Sequence, residues 1–132
     1  MAAKGRTEQL AQIFTALSDP TRLRILNLLN GREVCVCYFV EILKEPQPKI
    51  SRHLAYLRSS GMVATRKEGK WVHYSIAWPE EKDLRKALSA ALRALEDDRK
   101  MQADLRQLET ACCSPQKFVT LEGAPVPARA AE

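Results

Sequence analysis

Four cysteines, arranged as two close pairs, are the residues of this sequence best suited to metal chemistry. Cys35 and Cys37 are separated by one residue, and Cys112 and Cys113 are adjacent. In a reducing compartment such pairs are not a disulfide framework. Close-set thiols there more often bind a soft metal or metalloid, or carry out redox chemistry. The sequence therefore predicts one or two thiolate sites.

Residues 46–61 form a second candidate site, because they predict a helix whose polar face is basic. Pro48 suits the first position of a helix, and Gly61 suits the left-handed position just past its end. The apolar stripe at helical spacing consists of Ile50, Leu54 and Leu57. The polar stripe consists of Lys49, Arg52, His53 and Tyr56. This composition is typical of a helix that lies in a groove of nucleic acid.

Several predicted elements precede this helix. Apolar spacing predicts a first helix over 7–17, and Asp19 and Pro20 are suited to cap and open a second helix of about ten residues. Residues 33–43 predict an extended lead-in and then a helix that begins near residue 36. A short polar turn over 44–47 joins that helix to the basic one, which predicts a helix-turn-helix.

Two predicted strands and a long helix follow. Residues 62–66 and 71–76 predict a hairpin with its turn at Gly69. Its tip carries Arg66, Lys67 and Lys70, as expected of a wing that contacts backbone phosphates. From Pro79 the apolar stripe predicts one long helix interrupted by a polar break at 96–98. A stripe of this length predicts packing against a second copy in a homodimer; an intramolecular lid is the alternative.

Length and charge agree with this organisation. The chain has 132 residues and a net charge of +5, and residues 49–70 hold six basic groups and one acidic group, which gives the same +5. Such a concentrated patch favours a polyanion. We expect one winged domain over 1–110, with a terminal dimerisation helix, and a flexible cysteine-containing tail over 111–132. No apolar run is long enough to span a bilayer, so we expect a cytoplasmic protein without a membrane partner.

Four stretches, residues 14–26, 33–37, 47–54 and 66–74, together resemble the ArsR/SmtB family of winged-helix metalloregulatory repressors. The Cys35-Val36-Cys37 sequence is similar to the signature of the arsenical-resistance branch. The resemblance implies a mainly α fold with a small β-hairpin, in a homodimer that joins through its first and last helices. It also implies a repressor, not an enzyme, that binds double-stranded operator DNA and needs no cofactor. The inducer would be trivalent arsenic or antimony bound by cysteine thiolates.

The same resemblance and the charge pattern give the expected site residues. The predicted DNA contacts are Gln47, Lys49, Ser51, Arg52, His53, Tyr56, Arg66, Lys67 and Lys70. The predicted metalloid ligands are Cys35, Cys37, Cys112 and Cys113. Arg22 and Arg24 are expected on a solvated face, with clamps on the DNA backbone as the alternative. His73 is expected to be structural.

The ligand set remains open at this point. Repressors with this signature commonly supply a third cysteine three residues after the second, where this chain has Val40. The working site is therefore Cys35 with Cys37, the C-terminal pair, or a mixture of the two. Residues i and i+2 do not face each other on an α-helix, so chelation by Cys35 and Cys37 requires an extended or unwound turn. A repressor that responds to thiol oxidation is the alternative function.

Overall fold

A computed structural model of the chain describes residues 5–113, 125 and 127–129. The helices are α1 (Arg6–Leu17), α2 (Pro20–Leu29), α3 (Val36–Leu43), α4 (Gln47–Ser59), α5 (Lys82–Arg93) and α6 (Arg99–Cys113). The strands are β1 (Arg32–Cys35), β2 (Val63–Glu68), β3 (Trp71–Ile76) and β4 (Ala128–Arg129). The predicted mainly α fold with a β-hairpin is confirmed.

The helix boundaries follow local chemistry. The side chain of Asp19 accepts a hydrogen bond from the backbone N–H of Arg22, and Pro20 opens α2, as the sequence predicts. Lys44 ends α3 in a left-handed conformation with φ of 53°. Gly61 follows α4 with φ of 79°, a conformation that costs a glycine little. The helix-turn-helix over α3 and α4 is therefore confirmed.

The sheet is antiparallel, and it joins the wing to the helix-turn-helix. Its strand order is β2-β3-β1-β4. The predicted hairpin supplies β2 and β3, and β1 pairs with β3 so that Cys35 lies opposite His73. The edge strand β4 pairs with Arg32 and Glu33 of β1. Because β1 pairs with β3 of the wing and continues directly into α3, this strand links the wing to the helix-turn-helix at Cys35.

The predicted single long terminal helix is wrong, because the chain forms two helices there. Helix α5 ends at Arg93, and Asp98 accepts a hydrogen bond from the backbone N–H of Met101 at the start of α6. The acidic stretch at 96–98 therefore separates two helices, and an aspartate starts the second one. Helix α6 then packs on α2 and α3 of its own chain, with Leu108 and Ala111 buried.

The packing of α6 also corrects the prediction about its apolar stripe. Met101 and Leu108 are covered by the chain itself, so this part of the stripe is not available to a second copy. The intramolecular alternative holds for α6. Helix α6 continues to Cys113. Apart from 111–113, 125 and 127–129, the predicted tail lies outside the described residues.

A single hydrophobic core lies under these elements. It unites the buried faces of α2, α3, α4 and α5 with β1 and the base of the wing. Its largest fully buried side chains include Tyr38, Phe39, Ile25 and Leu88. The ring of Phe39 on α3 meets that of Tyr74 on β3 edge to face, with centroids 6.1 Å apart. This contact packs the helix-turn-helix on the sheet.

Candidate functional site

Helix α4 buries the face that the sequence predicts and leaves the opposite face exposed. Ile50, Leu54 and Leu57 lie in the core. The exposed residues of α4 are Gln47, Pro48, Ser51, Arg52, Ala55, Arg58 and Ser59. Within this set the charged side chains are all basic. An anionic surface laid against α4 would therefore meet an amide, hydroxyls and two arginines, which are donors suited to base edges and phosphates.

The predicted polar stripe of α4 differs from the exposed face. Arg52 is exposed, whereas Lys49, His53 and Tyr56 are only partly exposed. Lys49 forms an ion pair of 3.3 Å with Glu45, one turn earlier. A face rotated toward Ser51 and Ala55 is thus the most accessible one. Arg58, which the sequence-based prediction omitted, belongs to it because it lies seven residues after Ser51.

His53 and Tyr56 contact the protein itself. His53 Nδ1 lies 3.3 Å from Nη1 of Arg22, and its Nε2 lies 3.6 Å from Asp19 Oδ2. The guanidinium of Arg22 covers the ring of Tyr56 at 4.5 Å from the centroid. The roles of His53 and Tyr56 as DNA contacts remain predictions, and the structure gives each side chain a partner on α2.

A groove of about 460 Å³ runs beside the exposed face of α4. Its walls come from α4, from Val36 at the start of α3 and from Tyr74 on β3. Ser51 and Arg58 contribute polar groups to this groove. The helix face and the sheet thus form one concave surface, on which the thiol-bearing turn at Val36 borders the predicted recognition helix.

The wing carries its predicted basic residues, but one of them is held by carboxylates. Arg66 forms a hydrogen bond of 2.7 Å with Glu33 on β1 and a longer one of 3.4 Å with Glu68. The hydrogen bond from Arg66 lowers the pKa of Glu33 and raises that of Arg66. Lys67 and Lys70 are exposed. They are therefore better placed than Arg66 to meet a phosphate.

His73 lies beneath this ion-pair network. Its side chain is buried, with Nε2 3.4 Å from Glu68 and Nδ1 3.9 Å from Glu33. Cross-strand pairing places it between Arg66 on β2 and Cys35 on β1. A buried histidine in the middle of the sheet agrees with the structural role expected for it.

The thiol groups of Cys35 and Cys37 already lie close together. Cys35 ends β1 in an extended conformation, and Cys37 is in the first turn of α3. The Cys37 thiol donates to Cys35 Sγ across 3.3 Å. Burial and this hydrogen bond raise the pKa of Cys37 to about 12. The extended turn that chelation by Cys35 and Cys37 requires is therefore present in the free protein.

The sulfur geometry suits one soft atom bound to both thiols. With sulfur bonds of about 2.3 Å, as in zinc thiolates, sulfurs 3.3 Å apart subtend about 90° at the bound atom. A trivalent arsenic with a lone pair has bond angles near this value. The side chains of Cys112 and Cys113 lie outside the described part of the chain. Within the described part, no group of three or more metal-binding side chains is assembled.

The sequence-based interpretation was wrong about the arginines of α2. Arg22 is partly buried and binds carbonyl groups of α1. Arg24 is buried and forms a two-point ion pair with Asp104 on α6, with distances of 2.7 and 2.9 Å. Neither lies on a solvated face. The available signal was an arginine between Leu23 and Ile25 on a short apolar helix, but its acidic partner is 80 residues away.

Comparisons with known proteins agree with this geometry. Residues 19–65 match the family model described as bacterial regulatory protein, arsR family. The chain is 44% identical over 104 residues to the arsenical resistance operon repressor of Escherichia coli, which covers 78% of this chain and 87% of that protein. It is 49% identical over 65 residues to the arsenic resistance transcriptional regulator ArsR2 of Pseudomonas putida, covering 48% of this chain and 56% of the relative.

A solved structure shows the same fold. HlyU from Vibrio cholerae aligns with a TM-score of 0.60 at 27% identity, covering 70% of this chain and 97% of that one. No helix in the described residues has both the length and the apolar character to cross a bilayer. The family match over residues 19–65 and the 44% identity to the Escherichia coli repressor show that the chain belongs to the ArsR family. It is a DNA-binding transcriptional repressor of the ArsR type and not an enzyme.

Proposed function

We propose that this repressor acts in the cytoplasm as a homodimer that releases operator DNA when trivalent arsenic or antimony binds Cys35 and Cys37. The observation that carries the proposal is the thiol pair, 3.3 Å apart at the junction of β1 and α3. The names of the similar arsenical-resistance regulators support the choice of inducer.

The chemistry of capture fits neutral thiols. The raised pKa of Cys37 keeps its proton in place at neutral pH. Arsenite at that pH is the uncharged trihydroxide. Each sulfur that binds replaces one hydroxide, and the thiol proton leaves with that hydroxide as water. Two thiols thus give a dithiolate of arsenic with one hydroxide and two waters, and no oxidant or reductant is needed.

The location of the thiols supports a route from inducer to DNA. Cys35 is paired with β3 of the wing, and Cys37 belongs to the helix that supports α4. A bound metalloid fixes the angle between β1 and α3 at a value set by its own bonds. We propose that operator binding requires a different angle between the wing and α4, so a metalloid that holds the angle of the free protein lowers the population of the DNA-binding conformation.

The proposed dimer uses α1 and α5, because α6 is packed within the chain. Phe14 on α1 is 57% exposed, and it is the only large apolar side chain exposed to this extent in the part of the chain described. Helices α1 and α5 pack against each other. An exposed aromatic ring on a helix is suited to the centre of a symmetric contact.

The test is operator release by arsenite and by methylarsenite in a fully reduced sample. We expect Cys35→Ser/Cys37→Ser to bind operator with wild-type affinity and to show no release. The matched control is Cys112→Ser/Cys113→Ser, which should still respond. Release that persists unchanged in the Cys35/Cys37 variant refutes the assignment. Release by peroxide and not by arsenite in wild-type protein would instead support the redox alternative.

A further inference from the structure

Arg22 joins the end of one helix to the side of the recognition helix. Its Nε donates to the carbonyl of Ala16 at 2.9 Å, and its Nη2 donates to that of Thr15 at 3.0 Å. Both carbonyls belong to the last turn of α1. We infer that Arg22 is a positioning residue, which sets the orientation of α4 from the C-terminal end of α1 without contacting DNA.

The end of α1 carries no cation of its own. The last turn of α1 contains no basic residue. The C-terminal carbonyls of a helix lack intrahelical partners and carry partial negative charge. Arg22 supplies both the positive charge and the donors from α2. Its guanidinium is therefore held on one side by α1.

The other side of the guanidinium faces α4. Nη1 lies 3.3 Å from His53 Nδ1, and the plane lies over the Tyr56 ring at 4.5 Å. A guanidinium has no acceptor, so a hydrogen bond between these two groups assigns His53 the tautomer with its hydrogen on Nε2. That nitrogen faces Asp19 Oδ2 at 3.6 Å. His53 and Tyr56, the partners of Arg22 on α4, thus lie beside the buried apolar stripe of that helix.

Asp19 is itself fixed, which makes the arrangement rigid. Burial acts to raise its pKa, but the hydrogen bond from the backbone N–H of Arg22 and the nearby charge of the Arg22 guanidinium lower it overall. Asp19 therefore remains ionised while it caps α2 and faces His53. The same short segment holds the start of α2, the end of α1 and the flank of α4.

A lysine cannot reproduce these contacts. The planar guanidinium donates in three directions and stacks on Tyr56, whereas an ammonium is a point charge on a flexible stem. A phosphate contact, by contrast, is often preserved when lysine replaces arginine. This difference separates a positioning role from direct binding of the DNA backbone. The inference rests on DNA binding by the ArsR family and is independent of the proposed inducer.

The experiment measures affinity for operator and for unrelated duplex DNA across a range of salt concentrations. Arg22→Lys and Arg22→Ala are compared with Arg52→Lys and Arg52→Ala, because Arg52 is an exposed arginine on α4. We expect both Arg22 variants to lose at least about fivefold in operator affinity, the smaller end of the loss for one misaligned base contact. Their affinity for unrelated DNA and their salt slopes should match those of wild type.

Other outcomes would overturn the inference. If Arg22→Lys binds operator as wild type does while Arg22→Ala reduces the salt slope by about 0.9, Arg22 contacts a phosphate. Unchanged operator affinity in both variants also excludes the positioning role. Thermal melting checks folding. If Arg22→Lys is unfolded, Arg22→Gln replaces it, because the amide can still donate to one carbonyl of α1 but carries no charge; operator affinity equal to wild type in Arg22→Gln again excludes the positioning role.

Discussion

Removal of the Asp104 carboxylate tests how firmly α6 is held on the core. The Arg24–Asp104 pair is almost fully enclosed, with exposed fractions of 8% and 5%, and its two bonds are 2.7 and 2.9 Å long. The hydrogen bonds that Arg24 donates to Asp104 raise the pKa of Arg24, so the guanidinium stays charged. In Asp104→Ala its remaining partner is the carbonyl of Leu43, at 3.3 Å.

The expected loss follows from leaving that charge buried. Breaking a buried pair from one side costs about 3–5 kcal/mol. A domain of this size has a total stability of about 5–15 kcal/mol, so the variant should lose between about a fifth and all of it. Urea unfolding followed by circular dichroism measures the change. The double variant Arg24→Met/Asp104→Leu should recover most of the loss, because it removes both charges and keeps the volume.

A matched pair on the surface provides the control. Arg66 and Glu33 also form a 2.7 Å bond between a guanidinium and a carboxylate, but the Arg66 side chain is 51% exposed. Glu33→Ala should therefore change the unfolding free energy much less than Asp104→Ala does. A loss below about 1 kcal/mol in the unfolding free energy of Asp104→Ala would refute the reasoning, because a buried charge without its partner is expected to destabilise the fold by more than that.

Three further perturbations follow from the site. Glu33→Gln frees Arg66 for a phosphate, so the salt slope of DNA binding should steepen by about 0.9; an unchanged slope would show that Arg66 does not reach DNA. Alkylation of Cys37 should keep accelerating as the pH rises toward its raised pKa of about 12. The contribution of the Cys37 thiol to the free energy of unfolding should fall above pH ~9, because the thiol ionises in the unfolded chain at a lower pH than in the folded protein. An alkylation rate that levels off near pH ~8.5 contradicts both expectations. Phe14→Asp should convert the proposed dimer to monomers in sedimentation, whereas a persisting dimer would exclude a central role for α1.

Much of the fold could be predicted because the deciding interactions are local. The cap at Asp19, the turn at Gly69 and the apolar spacing of Ile50, Leu54 and Leu57 each depend on residues within a few positions of one another. These features determine where helices and strands begin and end. They also place the basic helix directly after a supporting helix, which is enough to predict a helix-turn-helix.

The orientation of side chains on the site was less predictable. A polar residue at helical spacing is expected on an exposed face, yet His53 and Tyr56 face Arg22, which comes from a different helix. The rotation of α4 about its own axis depends on which neighbours cover its flanks. The periodicity of α4 alone does not show which neighbours cover its flanks, so the predicted DNA contacts did not include Arg58.

By itself the sequence determined the order of the elements from α1 to the wing, the basic face of α4 and the position of the thiols in the chain, because cysteine spacing and helix periodicity act over short distances. The tertiary structure decided what depends on contacts between distant residues. It showed that α6 is a separate helix held by Arg24, that Glu33 restrains Arg66, and that the extended end of β1 brings the thiols of Cys35 and Cys37 together. Charge pairs and helix packing set these features, and their partners lie too far apart in the chain for any local pattern to reveal them.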